Sequence, residues 1–526
     1  MENMTEYSPG LYPADVWETT PKVKFTPKIS DFIFALFTFA LGYLFSRWVF
    51  FSWQGWGVTV FTSAYLWMAT IYMIQKGVFK SNLASWFWFA LTWCTGASFA
   101  LWENAGFIEL RALFLFCAAV YYVIIATDNA IMKKTGNYLL LDGLNAVLLV
   151  PFGNLLNQYI SFSALRKRER KRGGTWPIIL GILLAIFLFI ILIPQLVRAD
   201  SGGFSNILKF LSDIFMIDNA VIAEFLFYFV ISIPIAAYIF GLVSGAVFKR
   251  RTEIIKPDKA EKAVADLRIL PPVTVFIILG AVCGLYLVFI LSQTPYFFSA
   301  FTGRRPDGWL IYSEYARQGF FELCGIAALN LSIITVGNIF CRKRRLESRL
   351  LKAFNTALAV ITLVLIATAF SKMALYIDVY GLTMPRLLPC AFMVFLAAVF
   401  VALIVLQTRN FSIVRFALVL GCVMMCALCL SNPDALVVRY NTDRYISGTL
   451  PEYDIDILYR AGAAGVKSAI EVYKTTPDMK LRDSIMEYLR QQYDRMAFDP
   501  GRRGDGEFTQ TLESYRASDV IKNLRP

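Results

Sequence analysis

Glu314, Gln318 and Glu322 stand at i, i+4 and i+8 in the stretch YSEYARQGFFEL (312–323), so a helix places them in one stripe. Arg317 follows Glu314 by three residues, within reach of an ion pair. Carboxylates in such a stripe can bind a cation, hold a charged ligand or pass a proton. The stretch runs into an apolar segment ending near Phe340, so Glu322 enters hydrocarbon. A central charge costs roughly 2.5–3.5 kcal/mol on insertion scales, so Glu322 is expected to be protonated, paired or wet. Charges expected at the same depth are Lys372, six residues before Asp378, and Arg386. The candidate binding cluster is therefore Glu314, Arg317, Glu322, Lys372, Asp378 and Arg386. Glu103, Glu109 and Glu224 also fall at the expected ends of apolar segments on that side.

Other chemistries lack their residues. The chain has no His, which removes the commonest general base and metal ligand. Its nine Cys fall in or beside apolar segments, without metal-ligand spacing. Cys422, Cys426 and Cys429 share one helix face, as small packing residues would. No Cys follows Ser431, so no disulfide can staple the C-terminal region. Neither a GxSxG elbow nor a phosphate-cradling glycine loop is present. No catalytic residue, metal or cofactor is expected, and the chain is not read as an enzyme.

The elements that must position the cluster follow from composition. Of 526 residues, 57% are hydrophobic and 17% charged, against about 45–50% and about 25% in soluble domains. The excess falls in runs long enough to cross about 30 Å of hydrocarbon as helices. Eleven spans are expected, at about 32–52, 55–74, 83–102, 109–127, 176–197, 222–247, 272–293, 319–340, 355–376, 387–407 and 413–431. The fold class is an all-α polytopic membrane protein. The polar first 31 residues lack a signal-peptide pattern, so the first span is expected to act as an uncleaved anchor.

Basic residues set the expected orientation. One set of gaps, with the N-terminus, holds Lys22, Lys24, Lys28, Lys76, Lys80, Lys133, Lys134, the run RKRERKR (166–172), Lys249–Arg251 and Arg342–Arg345. The other gaps hold isolated ones such as Arg47, Arg111 and Arg198. The N-terminus is expected in the cytoplasm of a plasma or inner-membrane protein and the C-terminus outside. The clusters suit anionic lipid headgroups and need no nucleic acid. Residues 138–165 are apolar but interrupted by Asp142, Asn145, Pro151, Asn154 and Asn157. Crossing would put a basic cluster outside, so an interfacial or re-entrant segment is expected.

Outside the membrane, residues 204–217 carry Ile207, Leu208, Leu211, Ile214 and Phe215 on one helical face. The C-terminal region, 432–498, reads as a helical extracytoplasmic domain. One helix starts near Asn432 or Asp434 and stops at Gly448; others cover 454–473 and 478–496. Residues 499–526 read as a flexible segment with a short helix near Ser518. So small a domain is expected to pack on the span ends or on a protein partner. Residues 432–526 carry fourteen Lys or Arg against fifteen Asp or Glu, so the chain's net charge of +13 belongs to the membrane part.

YSEYARQGFFEL (312–323), SKMALYIDVYGLTMPRL (371–387) and NPDALVVRYNTDRYISGTL (432–450) occur in this order. In them the chain resembles an uncharacterised bacterial multi-pass membrane family, in the grouping of domains of unknown function forty-one seventy-three and forty-one fifty-three. The resemblance runs from the first spans to about residue 470. It implies a multi-pass membrane protein and supplies no reaction, substrate or catalytic residue.

The function expected is a binding, scaffold or regulatory role in the cell envelope, with a protein partner at the outer tail. A second reading is a transporter of a small charged solute through Glu322. A third is a polyprenyl-linked membrane glycosyltransferase, disfavoured because the first outer loop, Ser46–Gly57, holds no Asp or Glu.

Overall fold

The computed structural model describes residues 25–162 apart from 132, 134 and 137, then 219–250, 262, 265–292, 312–342, 348–498 and 510–523. The described helices are α1 (Ile29–Leu44), α2 (Trp56–Gln75), α3 (Leu83–Leu101), α4 (Ile108–Ala126), α5 (Leu139–Leu144), α6 (Val150–Gly153), α7 (Asn157–Ser161), α8 (Asn219–Val247) and α9 (Pro272–Ser292). They continue with α10 (Tyr312–Phe340), α11 (Arg349–Tyr380), α12 (Met384–Thr408), α13 (Ile413–Leu430), α14 (Pro433–Ile446), α15 (Asp456–Ala461), α16 (Val466–Thr475), α17 (Met479–Phe498) and α18 (Leu512–Lys522).

Among the described residues, eight helical segments are long and apolar enough to cross a membrane: Ile29–Val49, Trp56–Gln75, Ala105–Ala126, Glu224–Val247, Pro272–Ser292, Arg349–Tyr380, Met384–Thr408 and Ile413–Leu430. The expected third span is helical, but Trp, Thr and Ser dilute its hydropathy. The expected eighth is strongly apolar only over Cys324–Phe340. The expected fifth span (176–197), the amphipathic helix (204–217) and the basic run (166–172) lie outside the described residues. Side-chain caps open several helices: the Ser85 N–H donates to Asn82 Oδ1 at 2.8 Å, and the Leu351 N–H to Ser348 Oγ at 3.2 Å.

The spans form two bundles. Phe34, Leu66, Met73, Tyr122, Phe240 and Val243 belong to one core, built by α1–α4 and α8. Leu279, Ala327, Leu358, Leu365 and Phe400 belong to a second, built by α9–α12. α13 joins them: Cys422 and Cys426 enter the first core, while Ile413 and Ala417 pack against the second. Cys422 and Cys426 are thus packing groups, and Cys429 on the same face is buried.

Residues 138–162 form a helix broken around Asn154, with a π-helical turn at Asn145–Leu149. The Asn154 amide donates to the Arg250 carbonyl at 3.2 Å, Arg250 Nη1 donates to Asn157 Oδ1 at 2.9 Å, and Gln158 Nε2 donates to Thr38 Oγ1 at 3.0 Å. Asp142 Oδ1 accepts from the Ile131 N–H at 2.8 Å. These bonds hold the segment at the end of the first bundle where Asp31, Lys76 and Arg250 gather. At that same end Arg415 Nε donates to the Thr135 carbonyl at 2.8 Å, and the Arg342 N–H to the Leu270 carbonyl at 3.0 Å.

The tail, α14–α18, sits at the opposite end, with a core of Val438, Leu458, Val466, Ala469, Ile485 and Tyr488. One expectation changes here. The helix expected over 454–473 is interrupted by a 3-10 turn at Gly462–Gly465, with Gly462 at φ 57°. Glycine takes that left-handed conformation at little steric cost. The short helix expected near Ser518 is α18, which inserts Ala517 and Ile521 into the tail core; Thr511 caps it by accepting from the Ser514 N–H at 3.0 Å. Residues 499–509 lie outside the described residues.

Candidate functional site beneath the tail

α3 ends at Leu101, and the chain turns through Glu103 and Asn104, the latter left-handed at φ 46°, before α4 begins. One turn into α4, Arg111 is fully buried. Its guanidinium stacks over Phe99 at 3.8 Å. Nη1 donates to the Trp102 carbonyl at 3.2 Å and Nη2 to the Glu103 carbonyl at 2.9 Å. The planar fork thereby fixes the turn, which a lysine could not do.

The tail completes the site. Asp434 Oδ2 accepts from the Gly106 N–H at 3.3 Å. Glu513 Oε2 accepts from the Glu103 N–H at 3.2 Å, and its Oε1 from Asn432 Nδ2 at 2.5 Å. Glu103 Oε2 in turn accepts from the Ala463 N–H at 3.2 Å. The break at Gly462 leaves this N–H available to the carboxylate. Tyr488 donates to the Gly462 carbonyl at 2.5 Å and steadies the break. Trp102 Nε1 donates to the Leu430 carbonyl at 3.0 Å, and Asn104 Nδ2 to the Cys429 carbonyl at 3.3 Å, fastening the turn to the end of α13. Three carboxylates and one guanidinium are buried together where the tail meets the first bundle.

Burial pushes the Asp434 carboxyl up to about 6, against the opposing pull of the Gly106 N–H and Arg111. Burial likewise pushes Glu513 up to about 7; Asn432 and the Glu103 N–H oppose the rise, and the Glu103 and Asp434 charges add to it. The site can therefore take up protons near neutrality. Apart from Arg111 Nε and Asn104 Oδ1, which are buried without a hydrogen-bond partner among the described residues, the polar atoms described above are directed at partners within the chain, so the site acts as a junction.

A second junction joins the tail to the other bundle. Arg444 of α14 pairs with Asp378, Nη2 to Oδ1 at 3.2 Å, and Nη1 donates to the Asp378 carbonyl at 2.7 Å. The Asn441 amide brackets Leu382, accepting from its N–H at 2.8 Å and donating to its carbonyl at 2.6 Å. Gly381, at φ 78°, makes the turn there, and any Cβ would strike Asn441 Oδ1.

The described side chains of the sequence-derived cluster, those of Glu322, Lys372, Asp378 and Arg386, divide between separate contacts. Asp378 is engaged by Arg444. Arg386 caps α11, donating to the Tyr380 carbonyl at 2.9 Å and to the Gly381 carbonyl, with its guanidinium over Tyr376 at 4.1 Å. Lys372 is buried at 2% exposure in the second bundle, within the electrostatic reach of Glu322, whose own residue is largely exposed. Glu314 and Arg317 lie on α10, but their side chains are outside the described residues. Sequence reasoning noted Glu103 and missed Arg111, Asp434 and Glu513 as site residues. A lone Arg inside an apolar span, beside a loop carboxylate, was the available signal.

The family model described as domain of unknown function (DUF4153) matches residues 89–472. No curated protein and no solved structure matches the chain. The matched region contains Glu103, Arg111, Asp378, Asp434, Asn441 and Arg444, and stops before Glu513. The match covers well over half of the sequence, and the chain belongs to the DUF4153 family of domains of unknown function.

Proposed function

We propose that this chain is a multi-pass protein of the plasma or inner membrane with eleven spans, a cytoplasmic N-terminus and an extracytoplasmic tail. It serves as a binding, scaffold or regulatory component of the cell envelope, with the tail as its working module. The observation that carries this reading is the concentration of buried charge beneath the tail. The mid-bundle Asn330, by contrast, is spent on neighbours: it accepts from Tyr286 Oη at 2.8 Å and donates to Thr362 Oγ1 at 2.9 Å. A transport path needs polar groups that face water rather than each other. The described basic residues Lys76, Lys80 and Arg250 lie opposite the tail, in keeping with an outer tail and with anionic lipid at the inner face.

The test has two arms. A cysteine at Ser447 should react with an impermeant reagent in intact cells, and one at Lys80 should not. A photo-cross-linker at Tyr515 or Met486, both exposed on the tail, should then give a discrete and saturable adduct with an envelope protein. Flux of a charged solute in proteoliposomes, abolished by Glu322→Gln and unaccompanied by a tail adduct, would replace this reading with transport.

A further inference from the structure

The first bundle holds a cavity of about 630 Å³ between the turn after α1 (residues 45–53), α2, α4, α8 and residues 152–159. We infer that it seats one hydrocarbon chain of a membrane lipid. This binding site is independent of the junction beneath the tail.

Most of the wall belongs to segments apolar enough to lie in the bilayer, and three of the four hydroxyls that line it are already committed. Thr62 donates to the Val58 carbonyl at 2.8 Å, Tyr65 to the Ala119 carbonyl at 3.0 Å and Tyr238 to the Val147 carbonyl at 3.0 Å. A polar solute would find none of these three donors free. A buried water needs two to four polar partners, so the space also favours hydrocarbon over water. The volume falls within the roughly 300–1,000 Å³ typical of sites for small ligands.

The site is continuous with the lipid-facing surface. Phe152 and Leu156 line the cavity, yet are 58% and 71% exposed, so it opens sideways into the hydrocarbon region. The shelf that carries them is held by the Asn154–Arg250 and Gln158–Thr38 bonds. At the far end stands Trp53, in a left-handed conformation at φ 47°, with its ring edge-on to Phe45 at 5.7 Å. A left-handed non-glycine residue is strained and persists where its surroundings hold it. Here it places an indole in the wall of the cavity, shortly after the exposed Phe50 and Phe51 in the chain.

The other occupant to be distinguished is the chain's own apolar stretch, 176–197. The full-length protein is reconstituted with phosphatidylcholine bearing a diazirine on one acyl chain, irradiated, and mapped by peptide mass spectrometry. Label should concentrate on 115–120 and 233–242 relative to the outward-facing Leu113 and Ile71. Ala119→Trp should abolish the wall label and leave that on Leu113 and Ile71 unchanged. Ala119→Leu, a smaller intrusion, should reduce it several-fold if the larger ring prevents folding. Wall labelling no greater than that of Leu113, or unmoved by both substitutions, overturns the inference. So does disulfide formation between Ala119→Cys and cysteines scanned along 176–197, which would give the cavity to the chain itself.

Discussion

The backbone N–H of Glu103 donates to Oε2 of Glu513 at 3.2 Å, closing a separation of 410 residues. One partner lies in the turn between α3 and α4; the other lies in the last helix of the tail. Arg444 and Asp378 make the corresponding contact with the second bundle at 3.2 Å. The tail therefore touches both bundles, which otherwise meet along α13. Each neutral hydrogen bond contributes only about 0.5–1.5 kcal/mol, so seating depends on several acting together.

Seating on the first bundle should strengthen as pH falls. Glu513 is raised from 4.5 to about 7 and Asp434 from 3.8 to about 6 by burial. Between these limits the seated tail binds more protons than the released one. Its stabilisation is therefore complete below about pH 4 and is lost as pH rises through 6 to 7. For Glu513 the difference is on the order of 3 kcal/mol. Limited proteolysis should release tail fragments more slowly at pH 5 than at pH 8. Glu513→Gln keeps the size and one acceptor but no titrating charge, and should remove most of that difference. An unchanged pH response in Glu513→Gln would assign it to another group.

Arg111 should be the least replaceable residue of the junction. Arg111→Ala leaves the Trp102 and Glu103 carbonyls without donors and Asp434 and Glu513 without a nearby cation. Losing one side of a buried charged cluster costs about 3–5 kcal/mol. Arg111→Lys should recover less than half, because an ammonium cannot reach both carbonyls and stack on Phe99. The readout is tail release by protease beside the melting of the spans in detergent. A lysine variant as stable as the natural chain would mean that charge alone suffices.

The local features of this architecture were legible in the sequence, and its long-range ones were not. Asn432 opens α14, its side chain accepting from the Ala435 N–H at 3.2 Å, and the helix gives way to Gly448 at φ 72°. Both signals act within four residues. The break at Gly462 was illegible because its counterpart, Glu103, stands 360 residues earlier. The short helix near Ser518 was legible, but the burial of Glu513 was not, because it depends on Asn432 and on the Glu103 N–H far away in sequence. Lys372 stands within electrostatic reach of Glu322 on the adjacent helix. Asp378 and Arg386 went elsewhere, drawn by an arginine of the tail and by the free carbonyls ending α11.

Gly381→Ala tests the second junction. Gly381 adopts φ 78°, and its added methyl would meet the Asn441 side chain that brackets Leu382. Strain of this kind costs on the order of 1–3 kcal/mol before Asn441 is displaced. Hydrogen exchange should rise at Leu382 and along the α14 face bearing Asn441, while amides around Gly106 stay protected. Uniform loss of protection at both junctions would indicate that the tail seats as one cooperative unit.

At the opposite end, Asp31 and Lys76 should behave as a coupled pair. Asp31 is fully buried and pairs with Lys76 through Oδ1. It also accepts from Tyr72 Oη at 2.7 Å and from the Lys28 N–H at 2.7 Å, while Lys76 donates to Ser30 Oγ at 2.9 Å. Lys76→Met leaves a buried carboxylate facing two neutral donors, and should cost about 3–5 kcal/mol. Asp31→Asn strands the ammonium between the Tyr72 and Phe248 rings, 5.3 and 5.4 Å from their centroids, where cation–π attraction offsets part of the loss. The double variant removes both charges and retains a hydrogen-bonding amide for Tyr72. It should melt above the Lys76→Met single variant in detergent. Additive losses in the double-mutant cycle would mean that the two charges are stabilised separately, by Lys28 and Tyr72 on one side and by Ser30 and the rings on the other.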